Sequence, residues 1–144
     1  NVDTHASGDR LLDHRAWMSI GKDEYWTLEM VQNVQRAIAA GVHVAFFGGC
    51  DILWQVRYER SSTGERNRVM VGYKQYASRD PFYSSSDPTK RRRTTTRFRD
   101  HPVNLPEPLL IGTMFRKSLW DRANNLDFTV PSGKPRSCAT SRTS

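Results

Sequence analysis

The chain has 144 residues, 37% of them hydrophobic, and carries a formal net charge of +7. This length supports one domain with a real core, and the low hydrophobic content predicts that part of the chain is solvated. No apolar run approaches the roughly 18 residues of a membrane span, and no secretory leader is recognisable, so we expect no membrane partner and, by default, a cytoplasmic protein. Because the chain does not begin with Met, we also expect a fragment or a processed product.

The positive charge is concentrated in one segment. Residues 90–99 hold six basic side chains and no acidic one, which leaves about +1 for the rest of the chain. We interpret this segment as a solvated loop and not as part of a uniformly basic fold. The two cysteines, Cys50 and Cys138, are far apart, so neither a disulfide framework nor a zinc site is expected.

A strand and a helix are predicted in the first third of the chain. Residues 16–20 form a short, mostly apolar run that is ended by Gly21, which is typical of a buried strand. From Thr27, apolar residues recur at helical spacing and polar residues take the other face. Because Thr27 can cap a helix and Gly41 can end one, the sequence predicts a helix near residues 27–40.

A second strand follows this helix. Residues 42–47 are almost continuously apolar and are closed by two glycines, a pattern typical of a parallel strand that is covered on both faces. The strand–helix–strand unit should have a right-handed crossover. That geometry brings residues 21–26 and 48–51 together at one edge of the sheet.

The remaining elements complete an α/β fold with a mainly parallel sheet. Two alternating segments around the turn-rich Ser61–Gly64 predict an antiparallel hairpin over residues 54–76. Residues 78–104 contain three prolines and are predicted to form a long loop. A short strand or helix is predicted at Leu109–Gly112, and the polar chain from Pro131 onwards is predicted to be disordered.

The turn Gly21–Trp26 is the strongest candidate site, because ligands of open α/β sheets bind after the carboxyl ends of strands. Asp23 and Glu24 can act as an acid/base pair, or can join Tyr25 in offering oxygen ligands to a hard cation. The plain alternative is a structural turn in which Asp23 caps a backbone N–H and Glu24 is solvated. Trp26 is interpreted as a core or lid residue.

Cys50 follows two glycines after a predicted strand, where α/β hydrolases present nucleophiles. A thiol needs a base or a lowered pKa to react. The nearest histidine, His43, is about seven residues up the strand, which is roughly 20 Å away. We therefore interpret Cys50 as a small semi-buried thiol and His43 as a structural strand residue.

The order of these motifs resembles the C-terminal domain of the large (beta) subunit of N,N-dimethylformamidase. The resemblance covers about residues 3–116. It rests on the turn Gly21–Trp26 before a helix, Gly48-Gly49-Cys50 with Trp54, Gly72-Tyr73-Lys74, Phe98-Arg99-Asp100, and Pro106-Glu107-Pro108 before an apolar run. The family pattern has a histidine at the position of Lys22 and asparagines at those of Cys50 and Pro108. The chain therefore looks like a partial, diverged copy.

This resemblance implies a three-layer amidotransferase-like fold, which we expect over residues 1–120, with a poorly structured tail over residues 121–144. The family's characterised enzyme hydrolyses a small formamide at an iron held by tyrosines and a glutamate. The resemblance thus implies iron as the cofactor, a small linear amide as the partner and Tyr25 as a metal ligand, with Asp23 or Glu24 as support or base. The residues expected to line the site are Lys22, Trp26, Cys50, Trp54, Tyr73, Arg99 and Glu107.

Two alternatives to metal-assisted amide hydrolysis stay open. The sequence therefore does not decide whether the chain is an enzyme. The departures at Lys22, Cys50 and Pro108 favour a non-catalytic remnant or interaction domain of the same fold. The arginines of residues 91–93, with neighbouring aromatic rings, can bind nucleic acid. No nucleic-acid-binding fold is recognisable, so a solvated loop is preferred. Oligomer formation is compatible with each of these functions.

Overall fold

The computed structural model describes residues 2–114, so the predicted tail and Cys138 lie outside the described part. Its helices and strands in chain order are α1 (Val2–Ala6), α2 (Asp9–Leu12), β1 (Ala16–Ile20), β2 (Tyr25–Trp26), α3 (Leu28–Ala39), β3 (His43–Phe47), β4 (Trp54–Gln55), β5 (Arg57–Glu59), β6 (Val69–Val71), a 3-10 helix (Lys74–Arg79), α4 (Pro88–Arg91) and α5 (Pro108–Ile111). This mixture of helices with small parallel and antiparallel sheets confirms the predicted α/β class. None of the described helices is both long enough and apolar enough to cross a membrane.

The predicted strand–helix–strand unit is confirmed. β1 has the predicted bounds, and β3 begins one residue later than predicted. The two strands pair in parallel, with Ala16 opposite His43 and Ile20 opposite Phe47. Both carboxyl ends therefore reach the same edge of this sheet.

The helix α3 connects these strands and begins at the predicted cap. The Thr27 side chain accepts a hydrogen bond from the backbone N–H of Met30 at 3.2 Å, which satisfies one of the free donors of the first turn. Beyond its end, Gly41 has a φ of +94°, in the left-handed region that glycine adopts without strain. The helix buries the four apolar residues Met30, Val31, Val34 and Ala37.

The antiparallel hairpin is narrower than the predicted residues 54–76. Among the named strands of residues 2–114, β5 and β6 are the pair that runs antiparallel, with Arg57 opposite Val71. β4 instead pairs in parallel with β2, placing Trp54 opposite Tyr25. Alternation of apolar and polar side chains shows which face of a strand is buried, but it does not show which strand lies alongside.

The arginine-rich segment, residues 90–99, packs into the fold beside β4. The N–H of Gln55 donates to the carbonyl of Thr96 at 2.8 Å, and the N–H of Phe98 donates to the carbonyl of Leu53 at 3.2 Å. Phe98 has no exposed surface. The interpretation of the whole segment as a solvated loop is therefore wrong, because its second half supplies hydrogen bonds to β4 and a side chain to the core.

The core lies between α3 and the inner face of the β1–β3 sheet. The buried ring of Trp26 packs against Trp17 and Phe46, with centroid distances of 5.9 and 6.1 Å. On the outer face, Ile20 is 74% exposed and Phe47 is 64% exposed. The prediction that β3 is covered on both faces is therefore wrong for the described part of the chain.

Candidate functional site

The connections that follow β1 and β3 lie side by side. The carbonyl of Asp23 accepts a hydrogen bond from the N–H of Ile52 at 2.9 Å. The carbonyl of Glu24 accepts one from the N–H of Trp54, also at 2.9 Å. The predicted meeting of the two connections at one sheet edge is therefore confirmed.

The connection between β3 and β4 is two residues longer than the connection between β1 and β2. The two extra residues lie between Gly48 and Asp51. Paired residues are 27 positions apart in β1–β3 and 29 apart in β2–β4. Here the backbone of Gly48 passes so close to the carbonyl oxygen of Gly21 and the carboxylate of Asp51 that a Cβ at residue 48 would collide with both. Glycine is therefore required at position 48 by close approach.

Backbone strain is concentrated in the same region. Five described residues other than glycine have positive φ, and among them are Cys50 at +65°, Ile52 at +55° and Lys74 at +56°. This conformation is unfavourable for a β-branched residue such as isoleucine. Strain of this kind is retained where surrounding contacts enforce it, and it is frequent at ligand and active sites.

The phenol of Tyr25 contacts the ammonium group of Lys74, whose Nζ donates to Oη at 2.6 Å. The same Nζ lies 4.7 Å from the ring centroid of Tyr25 and 5.7 Å from that of Trp54. On Trp54, the guanidinium carbon of Arg97 also lies 5.4 Å from the ring centroid. We call Tyr25, Trp54 and Lys74 the tyrosine–lysine cluster. Its ammonium group is attracted both by the phenol oxygen and by two aromatic faces.

The two predicted acidic residues of the turn have different partners. Asp23 accepts a hydrogen bond from the hydroxyl of Ser19 at 2.7 Å. Glu24 lies 3.7 Å from the ammonium of Lys22, whose side chain is 70% exposed, so this ion pair contributes little to stability. The neighbouring Asp51 has a raised pKa because of burial, and the nearby backbone N–H of Asp23 opposes this effect.

Cys50 lies among these charges. Burial raises the pKa of its thiol, and the negative charges of Glu24 and Asp51 act in the same direction, opposed by Lys22. A thiol with a raised pKa is protonated near neutral pH and is a poor nucleophile. The structure thus agrees with Cys50 as a semi-buried thiol, and it places the nearest histidine in sequence, His43, on β3 with an exposed side chain.

Two of the predicted lining residues, Trp26 and Tyr73, do not belong to the tyrosine–lysine cluster but lie next to it in the chain. Trp26 is fully buried in the core, so it holds β2 in place and presents no surface to a ligand. Tyr73 donates its N–H to the hydroxyl of Thr95 at 2.9 Å, and it is the next residue, Lys74, that reaches Tyr25. Lys74 was not predicted as a site residue. The signal for it was the Gly72-Tyr73-Lys74 motif, from which only Tyr73 was predicted to line the site.

Arg99 and Glu107, the last two predicted lining residues, are brought together. Their side chains lie 2.8 Å apart, and that of Glu107 is 1% exposed. Glu107 shares the wall of a small cavity with Val31 and Phe98, next to α3. A buried ion pair at this position links the segment before α5 to the core.

Among the described residues, the phenol oxygen of Tyr25 is not free to hold the iron that the resemblance implies. Within residues 2–114, no group of three or more His, Cys, Asp or Glu side chains is placed to hold a metal ion. The phenol oxygen of Tyr25 accepts instead from the Lys74 ammonium. Because a cation in contact with this oxygen repels a second cation, a metal and this hydrogen bond compete for the same position.

Comparison with known proteins identifies one family. The chain matches the family model described as N,N-dimethylformamidase beta subunit-like, C-terminal, over residues 1–141. This match extends beyond residues 3–116, over which the motifs were recognised. Curated proteins gave no match, and neither did solved structures. The strand-end turn with its tyrosine and the family match agree, and the chain belongs to the N,N-dimethylformamidase beta subunit-like C-terminal family.

Proposed function

We propose that this chain binds a small linear amide at the tyrosine–lysine cluster and hydrolyses its C–N bond. The observation that carries the proposal is the 2.6 Å contact between Lys74 Nζ and Tyr25 Oη. Tyr25 begins β2, directly after the turn that follows the carboxyl end of β1. An ammonium and a phenol can both donate hydrogen bonds to a carbonyl oxygen as negative charge develops on it. The neighbouring Trp54 ring is half-buried, and the part of it that Arg97 does not cover can contact the alkyl groups of an amide.

The proposed step is the addition of water to the amide carbonyl carbon. A carboxylate takes one proton from the water, and the carbonyl electron pair moves to the oxygen, which is held by Lys74 and Tyr25. The C–N bond then breaks, the nitrogen takes the proton, and an amine and a carboxylic acid are released. We assign the base to Glu24, because its contact with the exposed Lys22, at 3.7 Å, is longer than the 2.7 Å hydrogen bond that Asp23 accepts from Ser19.

Amine release from N,N-dimethylformamide by the full chain tests this proposal. Tyr25→Phe and Lys74→Met each remove one donor to the oxyanion, so each is expected to lower kcat/KM by about 100-fold. The exposed Tyr76 and Lys90 supply matched controls, Tyr76→Phe and Lys90→Met, which should leave the rate unchanged. A wild-type chain without amine release, or an equal loss in the controls, would contradict it.

Iron is a separate part of the proposal. The family resemblance supports iron, whereas the Lys74 ammonium competes with a metal for the Tyr25 phenol, and the hydrolysis proposed for the cluster uses no metal. The iron content of the purified chain distinguishes metal-assisted hydrolysis from hydrolysis by the tyrosine–lysine cluster alone. About one iron per chain that is lost in Tyr25→Phe would support metal-assisted hydrolysis, and hydrolysis by a chain containing no iron would support the tyrosine–lysine cluster alone.

A non-catalytic binding domain of the same fold is the second candidate. It is favoured by Lys74, which occupies the phenol oxygen of Tyr25, and by a protonated thiol at Cys50. This candidate predicts that N,N-dimethylformamide shifts the NMR signals of the Tyr25 and Trp54 rings without any amine being released. Turnover with the same residue dependence would exclude it.

A further inference from the structure

The 3-10 helix that begins with Lys74 is held at both of its ends by the hydroxyl group of Thr95. Tyr73, directly before the helix, donates its backbone N–H to Thr95 Oγ1 at 2.9 Å. Asp80, directly after the helix, accepts a hydrogen bond from this hydroxyl on Oδ2, also at 2.9 Å. One oxygen atom of a fully buried residue therefore ties the start of this helix to its end.

The direction of the Thr95 hydroxyl is determined by its two partners. A hydroxyl has a single proton, and here that proton is donated to the carboxylate of Asp80, which leaves a lone pair for the N–H of Tyr73. The same carboxylate oxygen accepts from Arg57 Nη1 at 2.7 Å, and both of these side chains are buried. Because its anchor is charged, buried and hydrogen-bonded, the Thr95 hydroxyl is a rigid support.

Lys74 needs such a support, because its backbone is strained. Its φ is +56°, in the left-handed region that is unfavourable for a residue with a Cβ. A conformation of this kind persists where neighbouring contacts enforce it. Contacts on either side do so here, namely the N–H of Tyr73 on Thr95 and the ammonium of Lys74 on the phenol of Tyr25. Since a lysine side chain is long and flexible, a fixed backbone limits where its ammonium group can lie.

The preceding residue, Thr94, separates the effect of this hydroxyl from the effect of burial. Thr94 and Thr95 are both fully buried. However, Thr94 Oγ1 has no hydrogen-bond partner among the described residues. The two adjacent threonines thus differ in their hydrogen bonds and not in their exposure.

We propose that the hydroxyl of Thr95 positions Lys74 against Tyr25 and so maintains the geometry of the tyrosine–lysine cluster. Thr95 is a positioning residue, since it acts through the backbone of Tyr73. Its effect on the contact between Lys74 and Tyr25 stands by itself. Its effect on turnover rests on the amide hydrolysis proposed above.

An NMR comparison of full-length variants tests the positioning directly. The nuclear Overhauser cross-peak between the ε protons of Lys74 and the ring protons of Tyr25 reports their contact. We expect this cross-peak to be lost in Thr95→Val, which removes the hydroxyl, and to be kept in Thr95→Ser, which retains it. The matched control Thr94→Val should also keep it. A purely stabilising role of Thr95 would lower Tm in Thr95→Val without removing the cross-peak.

Turnover of N,N-dimethylformamide gives a second measurement. In Thr95→Val, kcat should fall about tenfold or more with little change in KM, because a displaced ammonium is missed mainly in the transition state. Thr95→Ser and Thr94→Val should keep the wild-type kcat. If the wild-type chain released no amine, the proposed hydrolysis would be refuted, and the cross-peak would still decide the role of Thr95.

A second pair of variants covers the case in which Thr95→Val does not fold. Tyr73→Pro removes the N–H that Thr95 accepts, at a φ of −84° that is close to the value of proline. Tyr73→Ala is its control, because it removes the ring and keeps the N–H. We expect the cross-peak to be lost only in the proline variant. A cross-peak that persists in Thr95→Val or Tyr73→Pro, or that is lost equally in Thr94→Val, would overturn the proposal.

Discussion

Asp80 illustrates how single residues determine the stability of this fold. Its side chain has no exposed surface, and Oδ2 accepts hydrogen bonds from Arg57 Nη1 at 2.7 Å and from the N–H and hydroxyl of Thr95 at 2.8 and 2.9 Å. Oδ1 accepts from the N–H of Phe82 at 3.0 Å. Every donor in this network stabilises the ionised carboxylate. The network also connects β5 to the segment before α4 and to the arginine-rich segment.

The stability of the chain should therefore depend on pH through Asp80. Burial alone would raise the pKa of Asp80, but the hydrogen bonds from Arg57, Thr95 and Phe82 lower it below its ordinary value of 3.8. A lowered pKa in the folded state means that the unfolded state binds the proton more readily. The contribution of Asp80 is then complete above about pH 4 and is lost as the pH falls through the lower, folded-state value.

We expect Asp80→Asn to remove this pH dependence and to destabilise the chain by about 3 kcal/mol at pH 7. The substitution breaks the fully buried ion pair and leaves Arg57 only its contact with the half-exposed Glu59. Urea unfolding between pH 2 and 7 measures both effects. The control is Asp9→Asn, since the side chain of Asp9 is 75% exposed and its substitution should change the free energy of unfolding little. An unchanged pH slope in Asp80→Asn would contradict the assignment.

The helix α3 is the element whose packing is most directly testable. Val34 is fully buried on its inner face and belongs to the core cluster against which Trp17 of β1 and Phe46 of β3 pack. We expect Val34→Ala to lower the free energy of unfolding by about 2 kcal/mol, through lost burial and the cavity left behind. Val2 on α1 is 44% exposed, so the same substitution there should cost less than about 0.5 kcal/mol. If chemical denaturation showed the same loss of unfolding free energy in Val34→Ala and Val2→Ala, α3 would not be packed as described.

Elements specified by nearby residues were predictable from sequence. β1, α3 and β3 each carry their own signal, namely a short apolar run, a cap followed by helical spacing, and an apolar run closed by glycines. The crossover rule then placed the Gly21–Trp26 turn and Cys50 at one edge of the sheet. This much of the candidate site follows from local pattern and topology.

Contacts between distant segments were not predictable in the same way. Lys74 reaches Tyr25 across 49 positions of the chain, and no periodicity encodes which lysine does so. Phe98 is buried, although it lies between arginines, because the arginine-rich segment runs alongside β4. These features depend on tertiary packing, which overrides local composition.

At the scale of the whole molecule, the positive charge is less available than the sequence suggests. Arg93 lies 2.6 Å from Glu29, Arg97 covers the ring of Trp54, and Arg99 lies 2.8 Å from Glu107. Three members of the basic segment thus join it to the fold. The exposed basic residues that remain are grouped at α4, at positions 90–92. A nucleic-acid-binding surface built from this segment would therefore be smaller than its composition predicts.

The outer face of the β1–β3 sheet is an apolar surface of a different kind. Met18, Ile20 and Phe47 are 57%, 74% and 64% exposed. Met18 and Ile20 share one face of β1 because side chains alternate along a strand, and Phe47 is the register partner of Ile20. Contiguous exposed apolar patches differ from scattered exposed residues in that they bind apolar molecules.

We therefore expect the native chain to bind the dye ANS, and to bind less of it when Met18, Ile20 and Phe47 are all replaced by threonine. Threonine has the β-branched shape that suits strands, so Tm should change little. As a control, the exposed Val2, Val69 and Leu109, which lie on three different elements, are replaced by threonine together. Dye fluorescence that falls equally in both variants would show that this sheet face is not a continuous patch, because only the first variant interrupts adjoining apolar side chains.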